Sequence, residues 1–202
     1  MTVLVDDKDV WCKVHPNDLW IYDKLIVARK SGYLAGPAGV SVPRADWYIV
    51  RPITNIRMMS RGASRKWLTP ELDSVPDGYF WSEMFIGDHI SVDYHYGRQS
   101  TTVQGFRDSD RLDRFCKWSR IEITMPFPKI LQNLHSMYKW INVEYIDGKI
   151  IEIHTRYNDD FSNHSANTII PVWNDNPIPQ PVGSSWYESP SADRLGFWIL
   201  DK

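Results

Sequence analysis

The segment that most constrains this chain is Asn142-Val-Glu-Tyr-Ile-Asp-Gly-Lys-Ile-Ile-Glu-Ile-His-Thr-Arg156. Apolar residues alternate on either side of Asp147-Gly148, the strongest short-range signal for a β-hairpin. Because side chains alternate along a strand, Ile151 and Ile153 go to one face and Glu152, His154 and Arg156 to the other. A three-residue turn with Gly148 in the left-handed conformation pairs Ile146 with Ile150 and sets Glu144 opposite Glu152. A two-residue turn sets Glu144 against Ile151 and separates the carboxylates. We prefer the first register, because it gathers two carboxylates, a histidine and an arginine into a patch that suits a divalent cation and the phosphates it carries. On spacing alone, a solvated face with one surface Glu–Arg pair is the simpler account.

Composition narrows what such a patch can serve. A net charge of −2 and a pI near 6.3 provide no global field for non-specific nucleic-acid binding, so any polyanion contact is local. The 202 residues suffice for one substantial core or two small lobes, and the 10 Trp point to aromatic-rich packing. Cys12 and Cys116 are too few and too far apart for a disulfide framework or a Cys-based zinc site. The start Met1-Thr-Val-Leu-Val-Asp-Asp-Lys lacks the pattern of a secretory leader, and no apolar run reaches membrane-spanning length. A reducing, cytoplasmic setting is the expectation.

Along the chain, residues 3–15 read as a short strand ending at His15-Pro16. Asn17 or Asp18 then caps a helix through Leu19, Trp20, Lys24, Leu25 and Ala28 to a stop at Gly32. Trp47 to Arg51 is a buried-strand pattern closed by Pro52. Arg57, Arg61, Arg65 and Lys66, set among Ser60, Gly62, Ala63 and Ser64, read as a basic loop. Tyr79 to Ile86, a Gly87-Asp88 turn and His89 to Tyr94 read as strand, turn and strand, with a third strand at Ser100 to Phe106. Arg107 to Arg120 reads as a polar loop or helix, with Arg107 to Arg114 as surface charge, as are Asp6 to Asp9. Ile130, Leu131, Leu134, Met137 and Tyr138 give an apolar helical stripe. Beyond Pro171 the chain is rich in Pro, Asn, Ser and Trp until a last strand at Arg194 to Leu200.

Three pieces in order resemble the ATP-grasp superfamily over roughly residues 20 to 160. A lysine helix, Asp23-Lys-Leu-Ile-Val-Ala-Arg-Lys-Ser-Gly32, and Val40-Ser-Val-Pro43 precede the cation-bearing strand Tyr48-Ile-Val-Arg-Pro52. Ser82-Glu-Met-Phe-Ile-Gly-Asp-His-Ile-Ser-Val-Asp93 is similar to the family's hinge strand and the strand after it. Val143-Glu144 followed by Glu152-Ile-His-Thr-Arg156 looks like its acidic strand and Glu-x-Asn-x-Arg motif. The order, more than any one motif, carries the resemblance.

The resemblance implies an α+β fold of two lobes with antiparallel sheets and a nucleotide cleft between them. It implies a single unit with a smaller nucleotide lobe over 16–80 and a larger lobe over 81–202. Lys24 and Arg51 would contact phosphates, and backbone groups of Met84, Phe85 and Ile86 would hold the adenine edge beside Glu83. Asp88 or His89 would reach the ribose. Glu144, Glu152 and His154 would hold Mg2+, and Arg156 would meet phosphate or an acyl phosphate. These roles suit phosphoryl transfer, which depends on positioning and charge neutralisation.

The implied activity is an ATP-dependent carboxylate–amine or carboxylate–thiol ligase, with ATP and an unidentified carboxylate as substrates. This sequence departs from the family in carrying Arg51 where lysine is common. Arg57 to Ala63 has a single glycine, His154 replaces an Asn and suits Mn2+ better than Mg2+, and the family's separate amino-terminal domain has no counterpart. The alternative is a non-catalytic binding or assembly protein of viral type, acting as a homo-oligomer or on a protein partner through its Trp- and Pro-rich C-terminal part. A zinc site from His89, Asp93 and His95 near His154 is a rival metal reading. Nucleic-acid binding through Arg57 to Lys66 is a weaker third class.

Overall fold

Strand-forming residues separated by turn residues assemble here into two antiparallel sheets. The computed structural model describes residues 10–54, 61–71, 75–161, 165–191 and 193–200. The smaller sheet holds β1 (Ala35–Pro37), β2 (Asp46–Pro52), β3 (Ser64–Leu68) and β4 (Tyr79–Glu83) in the order β1-β4-β2-β3. The larger holds β5 (His89–His95), β6 (Arg98–Phe106), β7 (Lys117–Arg120), β8 (Trp140–Ile146), β9 (Lys149–His154), β10 (Thr168–Trp173), β11 (Ser184–Ser191) and β12 (Arg194–Leu200). Its order is β11-β12-β10-β7-β6-β5-β8-β9. The α+β class expected from the sequence is the one observed.

The chain reaches the edge of β9 through a 3-10 helix, Pro16–Tyr22, and an α-helix, α1 (Lys24–Lys30). The single helix expected from Asn17 onward is split, because Asp23 is extended at φ −92° and ψ 99°. Its side chain instead accepts the Ile26 amide at 2.8 Å, capping α1. The expected helix around 130–138 is a 3-10 helix, Lys129–Leu134; Leu131 and Leu134 are buried while Met137 is exposed. Residues 10–15 do not form the expected strand; 3–9, with Asp6 to Asp9, lie outside the described residues. Among the described residues no helix is long and apolar enough to cross a membrane.

Alternation along the strands sorts the core. On one face of the larger sheet Val92, Tyr94, Ile141, Val143, Tyr145 and Ile153 pack with Ile21, Tyr22, Val27, Leu131 and Leu134. Each such side chain contributes roughly 1.5–3 kcal/mol by leaving water. A second cluster of Val103, Trp118, Ile169, Phe197 and Ile199 closes the far half of the sheet with Phe161 and Ala166. The smaller sheet buries Val42, Tyr48, Val50, Leu68 and Trp81.

Several further expectations are corrected. β4 and β5 are not a hairpin: they belong to different sheets, and residues 84–88 carry the chain across. Part of the expected basic loop is β3, paired with β2 from Asp46↔Leu68 to Val50↔Ser64, while Arg57 and Ser60 lie outside the described residues. β7, β10 and β11 were not anticipated, since Pro171 sits within β10 and Pro190 within β11.

The hairpin of β8 and β9 reaches the expected register by another route. Asp147 and Gly148 both take positive φ, 51° and 71°, so the turn has two residues, pairing Ile146 with Lys149 and Tyr145 with Ile150. That turn alone would set Glu144 against Ile151. A bulge between Glu144 and Tyr145 absorbs the extra residue, and Glu144 stands opposite Glu152. Beside this turn the crossing segment needs a glycine: Gly87 has φ 151°, and a Cβ there would lie 2.7 Å from the Asp147 Cβ.

Candidate functional site

A cavity of about 290 Å³ lies between the sheets, near the lower end of the usual range for small-molecule sites. The smaller sheet contributes Ile49, Arg51, Arg65 and Ser82, the crossing segment Met84, Phe85, Ile86 and Gly87 beside Glu83. The larger sheet and its loops contribute His89, Arg107, Leu112, Ile146 and Ile151. β2 sends Ile49 and Arg51 to the same face by its period of two.

Arg51 is 7% exposed, with one guanidinium nitrogen donating to the Ile151 carbonyl at 3.0 Å and the group 5.2 Å over the Phe80 ring. Its Nε is buried without a hydrogen-bond partner. Burial lowers the Arg51 pKa from its usual value, against the charges of Glu152 and Glu144. Glu83 locks the crossing segment: its carboxylate accepts the Leu34 amide at 3.1 Å, and its own amide donates to the Leu34 carbonyl at 3.0 Å. Phe85 rests edge-on against Tyr33 at 4.9 Å.

Next to the cavity, the second face of β5, β8 and β9 is polar yet buried. His89 meets Glu144 at 3.0 Å, and Lys24 meets Glu152 at 3.3 Å with side chains 4% and 6% exposed. The other Glu152 oxygen lies 3.3 Å from His154. Burial alone would raise Glu144; the hydrogen bond and charge of His89, with His154 and Lys24, outweigh it and hold the carboxyl well below the usual range. Burial pulls the Lys24 ammonium down, opposed by Glu152. Further along, Asp93 accepts from Asn142 at 2.8 Å and from the Asn158 amide at 2.9 Å. Burial dominates there and raises Asp93 to about 6 against those hydrogen bonds.

The structure thus brings Arg51, Glu83, Met84, Phe85, Ile86 and His89 to one cavity. Lys24, Glu144, Glu152 and His154 form the adjoining charged cluster, outside the cavity lining. Arg156 lies past the end of β9 and donates to the Tyr157 carbonyl at 3.2 Å, so it does not continue the strand face as the alternation implied. Ile151, expected on the core face, lines the cavity because the bulge turns it. Arg107, read from the sequence as surface charge, also lines the cavity. The pairing of Gly105 with His89 brings the end of β6 to the cavity, and that long-range pairing is not visible in the sequence.

Among the described residues no three His, Cys, Asp or Glu side chains converge as a metal centre. His89, Asp93 and His95, the rival zinc set, are engaged separately with Glu144, Asn142 and the Trp140 ring. Glu144 and Glu152 nonetheless supply carboxylate oxygens from neighbouring positions of one sheet face, a donor set of the hard kind that Mg2+ and Mn2+ take.

No family model matches this sequence, and no curated protein does. Solved structures do resemble the fold. A protein assigned to the ATP-grasp superfamily from Archaeoglobus fulgidus superposes with TM-score 0.50 at 14% identity, covering 90% of this chain and 64% of that one. The L-amino acid ligase of Bacillus licheniformis superposes with TM-score 0.51 at 10% identity, covering 84% of this chain and 56% of that one. This chain therefore spans less than two thirds of either structure. Two antiparallel sheets, a cavity between them and these superpositions agree on one point: the chain has the ATP-grasp fold.

Proposed function

We propose that the protein is an ATP-dependent ligase, cytoplasmic in setting, that joins a carboxylate to an amine or a thiol through an acyl phosphate. The observation that carries this reading is the cavity between the sheets, with buried Arg51 in its wall and the Glu83–Gly87 backbone along one side. Main-chain groups of Met84 to Ile86 hold the adenine edge, with His89 toward the ribose. Arg51, fixed by the Ile151 carbonyl and the Phe80 ring, neutralises phosphate charge. Lys24 serves the phosphates on release from Glu152, and Arg156 lies toward the acceptor side.

In the reaction a substrate carboxylate oxygen bonds to the γ-phosphorus as the bond to the β-phosphate oxygen breaks, releasing ADP. The amine or thiol then bonds to the acyl carbon, phosphate departs with the C–O electron pair, and the nucleophile's proton passes to solvent. Glu144 and Glu152, with His154, are the residues that would hold Mg2+ or Mn2+, which when bound supplies charge neutralisation at the phosphates. Holding it requires Glu152 to exchange its contacts with Lys24 and His154 for the ion.

Titration calorimetry with ATP and MgCl2 tests the reading. We expect binding whose metal-dependent part disappears in Glu152→Gln; absence of heat at millimolar nucleotide would refute it. A second reading, a non-catalytic binding or assembly protein with a partner or a second copy of itself, is favoured by one observation. Both carboxylates of the acidic pair are already engaged, Glu152 by Lys24 and His154 and Glu144 by His89. ATP binding without ADP release across a panel of carboxylates, together with stable self-association in light scattering, would support that reading over the first.

A further inference from the structure

The two sheets are joined differently at the two sides of the cavity. On one side the joint is apolar: Leu25 and Ala28 of α1 bury Phe80 of β4, and α1 itself lies along β9. On the other side Ala63 and Arg65, at the start of β3, face Leu112 of the loop between β6 and β7 across the cavity wall. There the joint is ionic. Arg65 meets Asp110 at 3.1 Å, and Arg61 donates to the Asp193 carboxylate. Both arginines come from the smaller sheet's side; Asp110 lies in the β6–β7 loop and Asp193 in the turn between β11 and β12.

The two bridges are unequal. The Asp110 side chain is 98% exposed, so its pair with Arg65 is heavily screened. Asp193 receives a second arginine, Arg114, at 3.6 Å. Arg114 comes from the β6–β7 loop, lies 4.8 Å over the Trp173 ring and also donates to Asp175. Arg111 extends the network, bonding Asp113 at 2.8 Å and standing 3.7 Å from Asp175. The hydrogen bond and charge of Arg61, with the charge of Arg114, hold the Asp193 carboxyl below its usual range.

Each member of the Arg61–Asp193 pair is aimed by its own side. The Asn174 amide donates to the Asp193 carbonyl at 2.9 Å, Ser191 pairs with Arg194 across the turn, and Arg194 donates to both oxygens of Asp160 at 2.8 and 3.0 Å. Opposite, Gly62 next to Arg61 has φ 84° and packs so closely on Tyr79 that a Cβ would lie 2.6 Å from its hydroxyl. An isolated exposed ion pair stabilises a fold little, because screening and side-chain ordering cancel most of the attraction. A pair spanning two bodies that are hinged at their far side acts on their separation instead, where a small free energy shifts a population several-fold.

We propose that the β11–β12 turn is an ionic latch: Asp193, braced by Arg114, holds Arg61 and shuts the cavity along its Ala63–Leu112 wall, so that release of this contact lets the smaller sheet swing open about the packed Phe80 side. The latch comes from a segment beyond residue 160, outside the stretch that carries the ATP-grasp resemblance, and it operates whatever ligand the cavity takes. Ionic strength then controls access, because salt weakens the exposed contacts and leaves the apolar joint in place.

Nitroxide labels on Ala45→Cys, just before β2, and Glu188→Cys, on β11, both exposed positions, report the separation of the sheets by pulsed electron paramagnetic resonance. Cys12 and Cys116 are first replaced by serine, and thermal unfolding establishes that each variant is folded. Raising NaCl from about 0.05 to about 0.5 M is expected to enlarge a longer-distance population in the labelled parent. Asp193→Asn is expected to enlarge it by about 2–5-fold at low salt and to lose most of the salt response, and Arg61→Gln to act in the same direction. Combined, the two substitutions should do no more than Asp193→Asn alone, since they remove one shared contact. If Asp193→Asn does not fold, Arg61→Gln decides by the same low-salt and high-salt comparison. Unchanged distances in these variants at both salt concentrations overturn the latch, and so do effects of the two substitutions that simply add. A salt response that persists undiminished in Asp193→Asn overturns it as well, and places the ionic joint at Arg65 and Asp110.

Discussion

The two faces of β5, β8 and β9 are built from the same strands and differ in almost everything else. One face carries Val92, Tyr94, Ile141, Val143, Tyr145 and Ile153, packed dry against the N-terminal helices. The other carries His89, Ser91, Asp93, Asn142, Glu152 and His154, buried almost as deeply, with the partly exposed Glu144 among them, and held by contacts with one another and with Lys24, Arg107 and the Asn158 amide. The apolar face gains stability by leaving water. The polar face gains little net, because desolvating its charges offsets much of their mutual attraction. What it supplies instead is a set of ionisable groups at fixed positions, each dependent on its partner.

That contrast predicts which substitutions hurt most. Lys24→Met leaves the Glu152 charge buried beside His154 and should destabilise the protein by about 3–5 kcal/mol in urea unfolding. Removing both charges as Lys24→Met with Glu152→Leu should restore most of that loss; if the double variant is no better than the single, the polar face is stabilising in its own right. On the apolar face, Ile153→Ala should cost about 2–5 kcal/mol through lost burial and the cavity left behind.

The polar face should also respond to pH where the apolar face cannot. Asp93 is raised to about 6 in the folded protein, so the native state holds a proton that the unfolded chain releases earlier. Stability should therefore be fully present below about pH 4 and decline through about pH 6, by an amount on the order of 3 kcal/mol. Asp93→Asn should flatten that decline in thermal unfolding followed across pH. Glu144 works in the opposite sense: its lowered pKa gives stability present above the usual carboxylate range and lost as acid titrates it. The smallest effect should come at the turn joining the two strands. Gly148→Ala at φ 71° meets no neighbouring atom within 4 Å, so only backbone strain acts, costing about 1 kcal/mol by chemical denaturation.

Much of this is legible in the sequence. Alternation around Asp147-Gly148 located the hairpin, and the face carrying Glu144, Glu152 and His154 followed from the period of two. The order of lysine helix, Pro-bounded strand, Glu83 segment and acidic hairpin pointed to the ATP-grasp fold that the superpositions support. Local pattern misleads where long-range pairing diverges from it. Tyr79 to Tyr94 looks like a hairpin because Gly87-Asp88 sits between two strands, yet the strands belong to different sheets. Leu131, Leu134 and Met137 have helical spacing, yet the segment is a 3-10 turn lying on the apolar face.

The sequence by itself determined what is local: the alternation of the strands, a turn at Asp147-Gly148 and the order of charged residues along the chain. Only tertiary structure decided the rest. The bulge that sets Glu144 beside Glu152 depends on pairing between strands, since the turn alone gives the other register. Whether Arg107 meets solvent or the cavity depends on Phe115 and on a sheet contributed by a distant part of the chain. Charges take their meaning from what desolvates and neutralises them, and those neighbours, Lys24 for Glu152 and His89 for Glu144, come from segments more than fifty residues away in the chain.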